Sequence, residues 1–166
     1  MKKVIIVGIA ALALGIAASL AWQQREAMAP EVRFATLSGD SFATSDLRGK
    51  VVLVNFWATS CVSCVQEMPK MVETYKKFAP RGYEMIAVAM SYDHPNQVAA
   101  FTQSRGLPFK VALDTNGAIA KSFGDIRITP TTFVLDRKGR VLKRYRGEPD
   151  WAEFHALLDK ALREPT

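Results

Sequence analysis

Apolar and polar residues fall into blocks from about residue 31 onward, and the blocks change period along the chain. Residues 51–57, VVLVNFW, are a near-continuous run of β-branched and aromatic side chains. Such a run is expected of a strand covered on both faces. Residues 84–90, EMIAVAM, repeat the pattern. Between them, residues 62–79 predict a helix interrupted at Pro69, whose missing N–H should kink it. Residues 33–37 and 41–44 flank Ser38-Gly39-Asp40, a turn composition, and predict a short hairpin. Residues 95–105 predict a helix, with Pro95 in its first turn and Gly106 past its end. A short strand at 109–113 and a short helix at 116–123 follow, then a hairpin of 132–135 and 141–146 around Arg137-Lys138-Gly139-Arg140. The last helix covers 150–163. Asp150 is its expected N-cap, with Glu153 completing a capping box, and Trp151, Phe154, Leu157, Leu158 and Leu162 form one apolar face. Strands alternating with helices predict an α/β fold, and the terminal hairpin makes the central β-sheet mixed, with helices on both faces.

The N-terminus follows a different rule. Residues 4–22, VIIVGIAALALGIAASLAW, contain no charge and follow Lys2-Lys3. As a helix they would span about 28 Å at about 1.5 Å per residue, close to the hydrocarbon thickness of a bilayer. The apolar region of a cleaved signal peptide is shorter, but small-x-small sites at Ser19-Leu20-Ala21 and Ala27-Met28-Ala29 keep cleavage open. The anchor reading gives a transmembrane helix at 1–22, a polar linker at 23–30 and one domain at 31–166. Both readings export that domain, and the positive-inside rule leaves Lys2-Lys3 in the cytoplasm.

Composition changes the picture little. Hydrophobic residues make up 49% and charged residues 23%, which suits a globular domain rather than a disordered chain. The net charge of +6 is scattered. Its densest run, 137–146, alternates with apolar residues as a charged strand edge would, and such an edge resists edge-to-edge pairing. No nucleic-acid motif accompanies the charge, so no nucleic-acid partner is expected.

The candidate chemistry lies in WATSCVSCVQEMP, residues 57–69, which holds both cysteines, Cys61 and Cys64. Half of a zinc site would need further ligands, and only His94 and His155 are on offer, at no recognised spacing. Haem attachment needs histidine after the second cysteine, where Val65 stands. A purely structural disulfide across so short a loop would remove little chain entropy. The remaining reading, a redox-active dithiol, suits the strand-to-helix turn. At the helix N-terminus Cys61 meets unpaired N–H groups and the positive end of the macrodipole, which favour a thiolate. Cys64, one turn in and more buried, is placed to attack a mixed disulfide formed on Cys61. Two sulfurs suffice, with no metal or other cofactor.

The segments LRGKVVLVNFWATSCVSCVQEMP (47–69) and ITPTTFVLDRKGRVLKRYRG (128–147) resemble the thioredoxin fold, and more closely the membrane-anchored TlpA-like thiol-disulfide oxidoreductases of bacteria, a group that includes cytochrome c maturation proteins. The resemblance runs from about residue 31 to the C-terminus. It implies a thioredoxin-like domain with an N-terminal hairpin and a strand and helix inserted within 83–110. It implies that Pro130 is a cis-proline facing the cysteines with Thr129 before it, that Trp57 packs beside the site, and that the backbone at Pro130 pairs with a substrate peptide. Trp57 also reads as a plain core aromatic, and the two roles are compatible.

Three positions depart from the pattern. Ser60 stands where tryptophan is usual, removing an apolar platform beside Cys61. Ser63 stands where proline is common, and its hydroxyl is a possible donor to the thiolate. Asn55 replaces the buried aspartate of ordinary thioredoxins and cannot do acid–base work. Some relatives take an acid from the inserted segment, where Asp93 is the nearest match; its alternative is a turn or cap residue before His94-Pro95. Glu67 is the other acid near the pair, with a purely structural role as its alternative. The resemblance implies a monomeric oxidoreductase in the periplasm or otherwise outside the cytoplasm, held at the inner membrane. It would reduce disulfide-bearing client proteins with electrons from a membrane donor. A thiol peroxidase would need Pro-x-x-x-Thr-x-x-Cys, which fails at Val54 and Ala58; a copper chaperone on this fold would need a histidine by the cysteines, with His94 the one candidate.

Overall fold

The computed structural model describes residues 27–164. The apolar segment assigned to an anchor therefore lies outside the described residues, and among those described no helix is long and apolar enough to cross a membrane.

The element order is β1 (Arg33–Ala35), β2 (Ser41–Ala43), β3 (Val51–Trp57), α1 (Val62–Phe78), β4 (Tyr83–Ala89), α2 (Pro95–Arg105), β5 (Lys110–Leu113), α3 (Ala118–Ser122), β6 (Thr131–Leu135), β7 (Val141–Arg146) and α4 (Trp151–Arg163). The central sheet has the order β5-β4-β3-β6-β7, with β1 and β2 a separate hairpin. β3 pairs parallel to β4 and antiparallel to β6. Every residue of β3 and β4 is buried, as their unbroken apolar runs require. The sheet is thus the mixed α/β sheet expected.

Strand alternation sends side chains to two cores. On one face Val51, Leu53 and Trp57 meet Cys64, Met68, Met71 and Phe78 of α1, Val98 of α2 and Phe154 and Leu158 of α4. On the other, Val52, Val54 and Phe56 meet Phe34, Ile119, Phe123 and Phe133. Asn55 belongs by alternation to the α1 face, as the one polar side chain of β3.

Two expectations need correcting. Helix α1 runs through Pro69 without interruption. Proline takes only one N–H from the ladder, and burial of Met68, Met71, Thr74 and Phe78 along one face holds the helix together on both sides of it. Asp150 caps α4 by accepting from the Glu153 N–H at 2.9 Å. However, the Glu153 carboxylate does not turn back to complete a capping box: it accepts from Lys143 Nζ at 2.6 Å, across the gap to β7. Strand ends also differ by a residue or two; β4 begins at Tyr83 and ends at Ala89, and α3 is shorter than its apolar pattern suggests.

The chain enters the domain against the β6–β7 turn. Ala29 N–H donates to the Gly139 carbonyl and Val141 N–H to the Ala27 carbonyl, each at 2.9 Å. Leu135 is at that end of β6, paired with Val52 near the start of β3, whereas Thr131 pairs with Phe56 near its end. The point of entry and the cysteines, which follow β3, are therefore at opposite poles of the sheet.

Candidate active site

Strand β3 ends at Trp57, and four residues carry the chain across the top of the sheet to α1. Asp93, in the loop after β4, fixes this crossing. Its carboxylate accepts from the Thr59 N–H at 2.5 Å and from the Thr59 hydroxyl at 2.6 Å. Both oxygens are thereby committed two residues before Cys61, so Asp93 sits as a brace for the loop. His94, the other inserted-segment candidate, is the N-cap of α2 and accepts from Asn96 N–H at 3.3 Å. His155 lies elsewhere, bonded to Thr74 at 2.8 Å. Among the described residues no three His, Cys, Asp or Glu side chains gather as a metal site would require.

Cys61 is the N-cap of α1, and its sulfur accepts from the Cys64 N–H at 3.3 Å. The pair forms a disulfide. Cys61 is partly exposed and Cys64 fully buried. One sulfur therefore faces solvent and the other the core, the asymmetry that an attacking and a resolving cysteine need. The Ser63 hydroxyl lies 3.5 Å from the Cys61 sulfur.

The loop before β6 lies at the same end of the sheet, since Thr131 pairs with Phe56 near the end of β3. The Thr129–Pro130 bond is cis and Pro130 is buried. The Pro130 carbonyl accepts from Gly147 N–H at 2.8 Å, and Thr131 Oγ1 donates to the Ile128 carbonyl at 2.7 Å, so the loop is tied at both sides. The Thr129 hydroxyl lies 3.4 Å from that of Tyr92. Val62, which follows Cys61, and Tyr92 and Ile128 on the loops after β4 and before β6 are each more than 60% exposed. Trp57 is wholly buried, its ring 5.2 Å from that of Phe101. It is a core aromatic in the same buried cluster as Cys64.

Beneath Cys64 lies a feature the sequence conceals. Glu67 is three residues further along α1, hence on the same side of the helix as Cys64, and has no exposed surface. Its Oε1 accepts from Asn55 Nδ2 at 3.1 Å, and the same amide donates to Thr132 Oγ1 at 2.9 Å. Asn55 and Thr132 are register partners on β3 and β6. Among the described residues no cation bonds to the group. Burial pushes the Glu67 carboxyl up from its ordinary 4.5 to about 7; the Asn55 hydrogen bond pulls the other way and the charge of Glu148 adds a little. Glu67 Oε2 and Asn55 Oδ1 are buried without a hydrogen-bond partner. Two orphaned acceptors are costly, and protonation of the carboxyl removes the charge that burial penalises most. The signal for Glu67 in the sequence was faint: an acid at the Cys64+3 position on the face that carries Met71, Thr74 and Phe78. Thr132 and Thr59 carried none.

The sequence profile of the Redoxin family matches residues 23–160. The chain belongs to the Redoxin family. Within it, the thiol-disulfide oxidoreductase ResA of Bacillus thuringiensis subsp. konkukian is 36% identical over 132 residues, covering 80% of this chain and 75% of ResA. A crystal structure of a thiol:disulfide interchange protein of the thioredoxin family from Chlorobium tepidum superposes with a TM-score of 0.75 at 30% identity, over 83% of this chain and 97% of that one. The solution structure of a protein described as a thioredoxin from Neisseria meningitidis gives 0.77 at 37% identity, over 82% and 90% of the two chains. This redoxin is a thiol-disulfide oxidoreductase of the ResA type, with a thioredoxin-like fold and Cys61 and Cys64 as its dithiol.

Proposed function

We propose that the chain is a membrane-tethered reductase of disulfides in client proteins outside the cytoplasm, with the assembly of cytochrome c among the processes it could serve. The observation that carries this reading is the partly exposed Cys61 beside a buried Cys64, with a buried carboxyl one helical turn further along whose pKa is raised to about 7. The apolar segment 4–22 supplies the tether, and the described chain enters the domain at the pole opposite the sulfurs.

The Cys61 thiolate attacks a client disulfide. Its S–S bond breaks, a client thiolate leaves, and a mixed disulfide joins client to Cys61. Cys64 then loses its proton and attacks the Cys61 sulfur, releasing the second client thiolate. The client gains two electrons and two protons, and Cys61–Cys64 is left oxidised, to be reduced again by a thiol donor of the membrane. Glu67 is the proton-handling group for buried Cys64: with a pKa about 7 it exchanges a proton near neutral pH where Asn55 cannot. Pro130 and Thr129 present backbone to the client chain as a further strand, bordered by Val62, Tyr92 and Ile128. Asp93 positions Cys61 through Thr59, and Trp57 seals the core beside Cys64.

The test is the reduction potential of Cys61–Cys64 in the full-length protein, equilibrated against dithiothreitol or glutathione buffers. A value near that of thioredoxin, about −270 mV, is expected; one near −120 to −180 mV makes the protein an oxidant or isomerase and overturns the direction proposed.

A further inference from the structure

Strand β7 sorts its charges by face. Lys143 and Tyr145 point to the α1/α4 side, where Glu153 neutralises Lys143 at 2.6 Å and Tyr145 packs on Phe154. Arg144 and Arg146 point to the other side, and both are exposed. Among the described residues neither has a carboxylate partner. The acids near this end of the fold are engaged elsewhere: Glu148 with Lys70 and the Trp151 indole, Asp150 with the start of α4, and Asp125 with Arg127. Arg144 lies with its guanidinium 5.1 Å from the Phe133 ring, so it is held against the sheet rather than swinging in solvent. Partial burial and then repulsion from Arg146 lower its pKa, the mark of two like charges kept side by side without compensation.

Their position gives this pair a use. Arg146 is the register partner of Thr131, the residue after cis-Pro130, and its neighbour Gly147 is bonded to the Pro130 carbonyl. Arg144 is one step further down the same face, opposite Phe133. The two guanidinium groups thus form a strip that begins beside the cis-Pro130 loop, at the end of the sheet from which the chain runs on to the cysteines, and runs away from it. Uncompensated charge beside a reacting group raises the encounter rate with a partner of opposite sign. We propose that Arg144 and Arg146 are a docking strip for an acidic segment of the client polypeptide, flanking the disulfide that Cys61 attacks. The strip rests on the reductase reading given above. An anionic membrane is the less suitable occupant, because the chain enters the fold at the opposite pole.

The test uses the reduced full-length protein in neutral detergent and two peptides, each with one intramolecular disulfide, flanked by Asp and Glu in one and by Ser in the other. At low ionic strength the acidic peptide is expected to react about tenfold faster. The ratio should fall towards one in high salt. It should also collapse in the Arg144→Ser/Arg146→Ser double variant and persist in the Arg144→Lys/Arg146→Lys variant, with circular dichroism showing both folded. A ratio of one in the wild type, or one that survives the serine variant, overturns the strip. So does binding of vesicles containing phosphatidylglycerol that the serine variant loses while the peptide ratio stays at one, which would assign the arginines to a lipid surface. Bis(hydroxyethyl) disulfide, small and neutral, separates the two readings. If the wild type fails to reduce it, the reductase reading falls and takes the strip with it; if it reduces it without telling the peptides apart, only the strip falls.

Discussion

Glu67 and Glu84 are two buried glutamates at opposite poles of one sheet, and they have opposite electrostatics. Glu84, second residue of β4, receives Lys110 at 2.6 Å and Lys50 at 3.3 Å. Burial would raise its pKa, but the hydrogen bonds and charges of the two lysines outweigh burial, and the net shift is downward. Glu67 is buried near the cysteines with an amide as its one hydrogen-bond partner, and its pKa rises to about 7. Burial is shared; the presence of a cation is not. A paired carboxylate is fixed in one protonation state across the physiological range and serves the fold. An unpaired one is poised between two states, at a cost to the fold, and such a group is expected where protons must move.

The sharpest way to break this contrast is Glu67→Gln, which keeps the shape and the bond to Asn55 but cannot ionise. Resolution of the mixed disulfide near neutral pH should slow by about 10²–10³-fold, measured by stopped-flow with a disulfide peptide, because a positioned acid–base group contributes on that order. The same variant should gain stability. The folded pKa of Glu67 lies above its ordinary 4.5, so its contribution is fully present below pH 4.5 and is lost as pH rises through about 7. The wild type should therefore lose about 3 kcal/mol relative to the Gln variant between those limits, read from urea unfolding of the oxidised protein. Equal pH profiles for the two proteins would show that Glu67 does not titrate there, and the proton-handling role would go with it.

Glu84→Gln sharpens the comparison from the other pole. It should leave disulfide exchange at the wild-type rate and cost about 2 kcal/mol of stability at neutral pH. That is less than a fully buried pair would lose, because Lys50 and Lys110 are half and one-third exposed. The sign of its pH dependence is reversed. A depressed pKa contributes stability above the unfolded value of about 4.5, and this is lost as pH falls through the folded one. Unfolding curves between pH 3 and pH 7 check both the size and the direction.

The contrast also shows what a one-dimensional reading reaches. β3 and β4 were legible because a doubly covered strand leaves an unbroken apolar run, and the cysteines because a strand-to-helix turn gives two sulfurs three apart a chemical reason. Pro130 and Thr129 were reachable through resemblance, and the structure places them at a cis bond before β6. Glu67 was named without its weight, because helix periodicity tells which face a residue occupies and not whether a partner neutralises it there. Its environment is set by Asn55, 12 positions away, and by Thr132, 77 positions from Asn55. Asp93 was reachable as an acid near the site; that both its oxygens would be taken by Thr59 depends on how the loops after β3 and β4 meet. Glu153 failed as a capping partner for the same reason: a nearby lysine on another element offered a full charge where the cap offered a backbone dipole.

Ser63 tests the smallest step of the comparison, from a full charge to a single hydroxyl. Its oxygen lies 3.5 Å from the Cys61 sulfur in the exposed first turn of α1, within reach of a bond to sulfur. In the reduced protein a Cys61 thiolate has only acceptor character, so the hydroxyl must donate. It thereby adds to what the Cys64 N–H already supplies at 3.3 Å. A neutral donor in water-exposed surroundings is worth under about 1 kcal/mol, which corresponds to about half a pKa unit. Ser63→Ala should raise the Cys61 thiol pKa by about that amount. By weakening the reduced form, it should also shift the Cys61–Cys64 potential to a slightly more negative value. Thiolate absorbance against pH and equilibration with dithiothreitol read the two shifts independently. They must move in opposite directions, pKa up and potential down, because stabilising the thiolate both acidifies the thiol and favours reduction. A thiol pKa that falls in the Ala variant would mean that water solvates the sulfur better than Ser63 does, leaving the helix N-terminus as the chief stabiliser of the Cys61 thiolate.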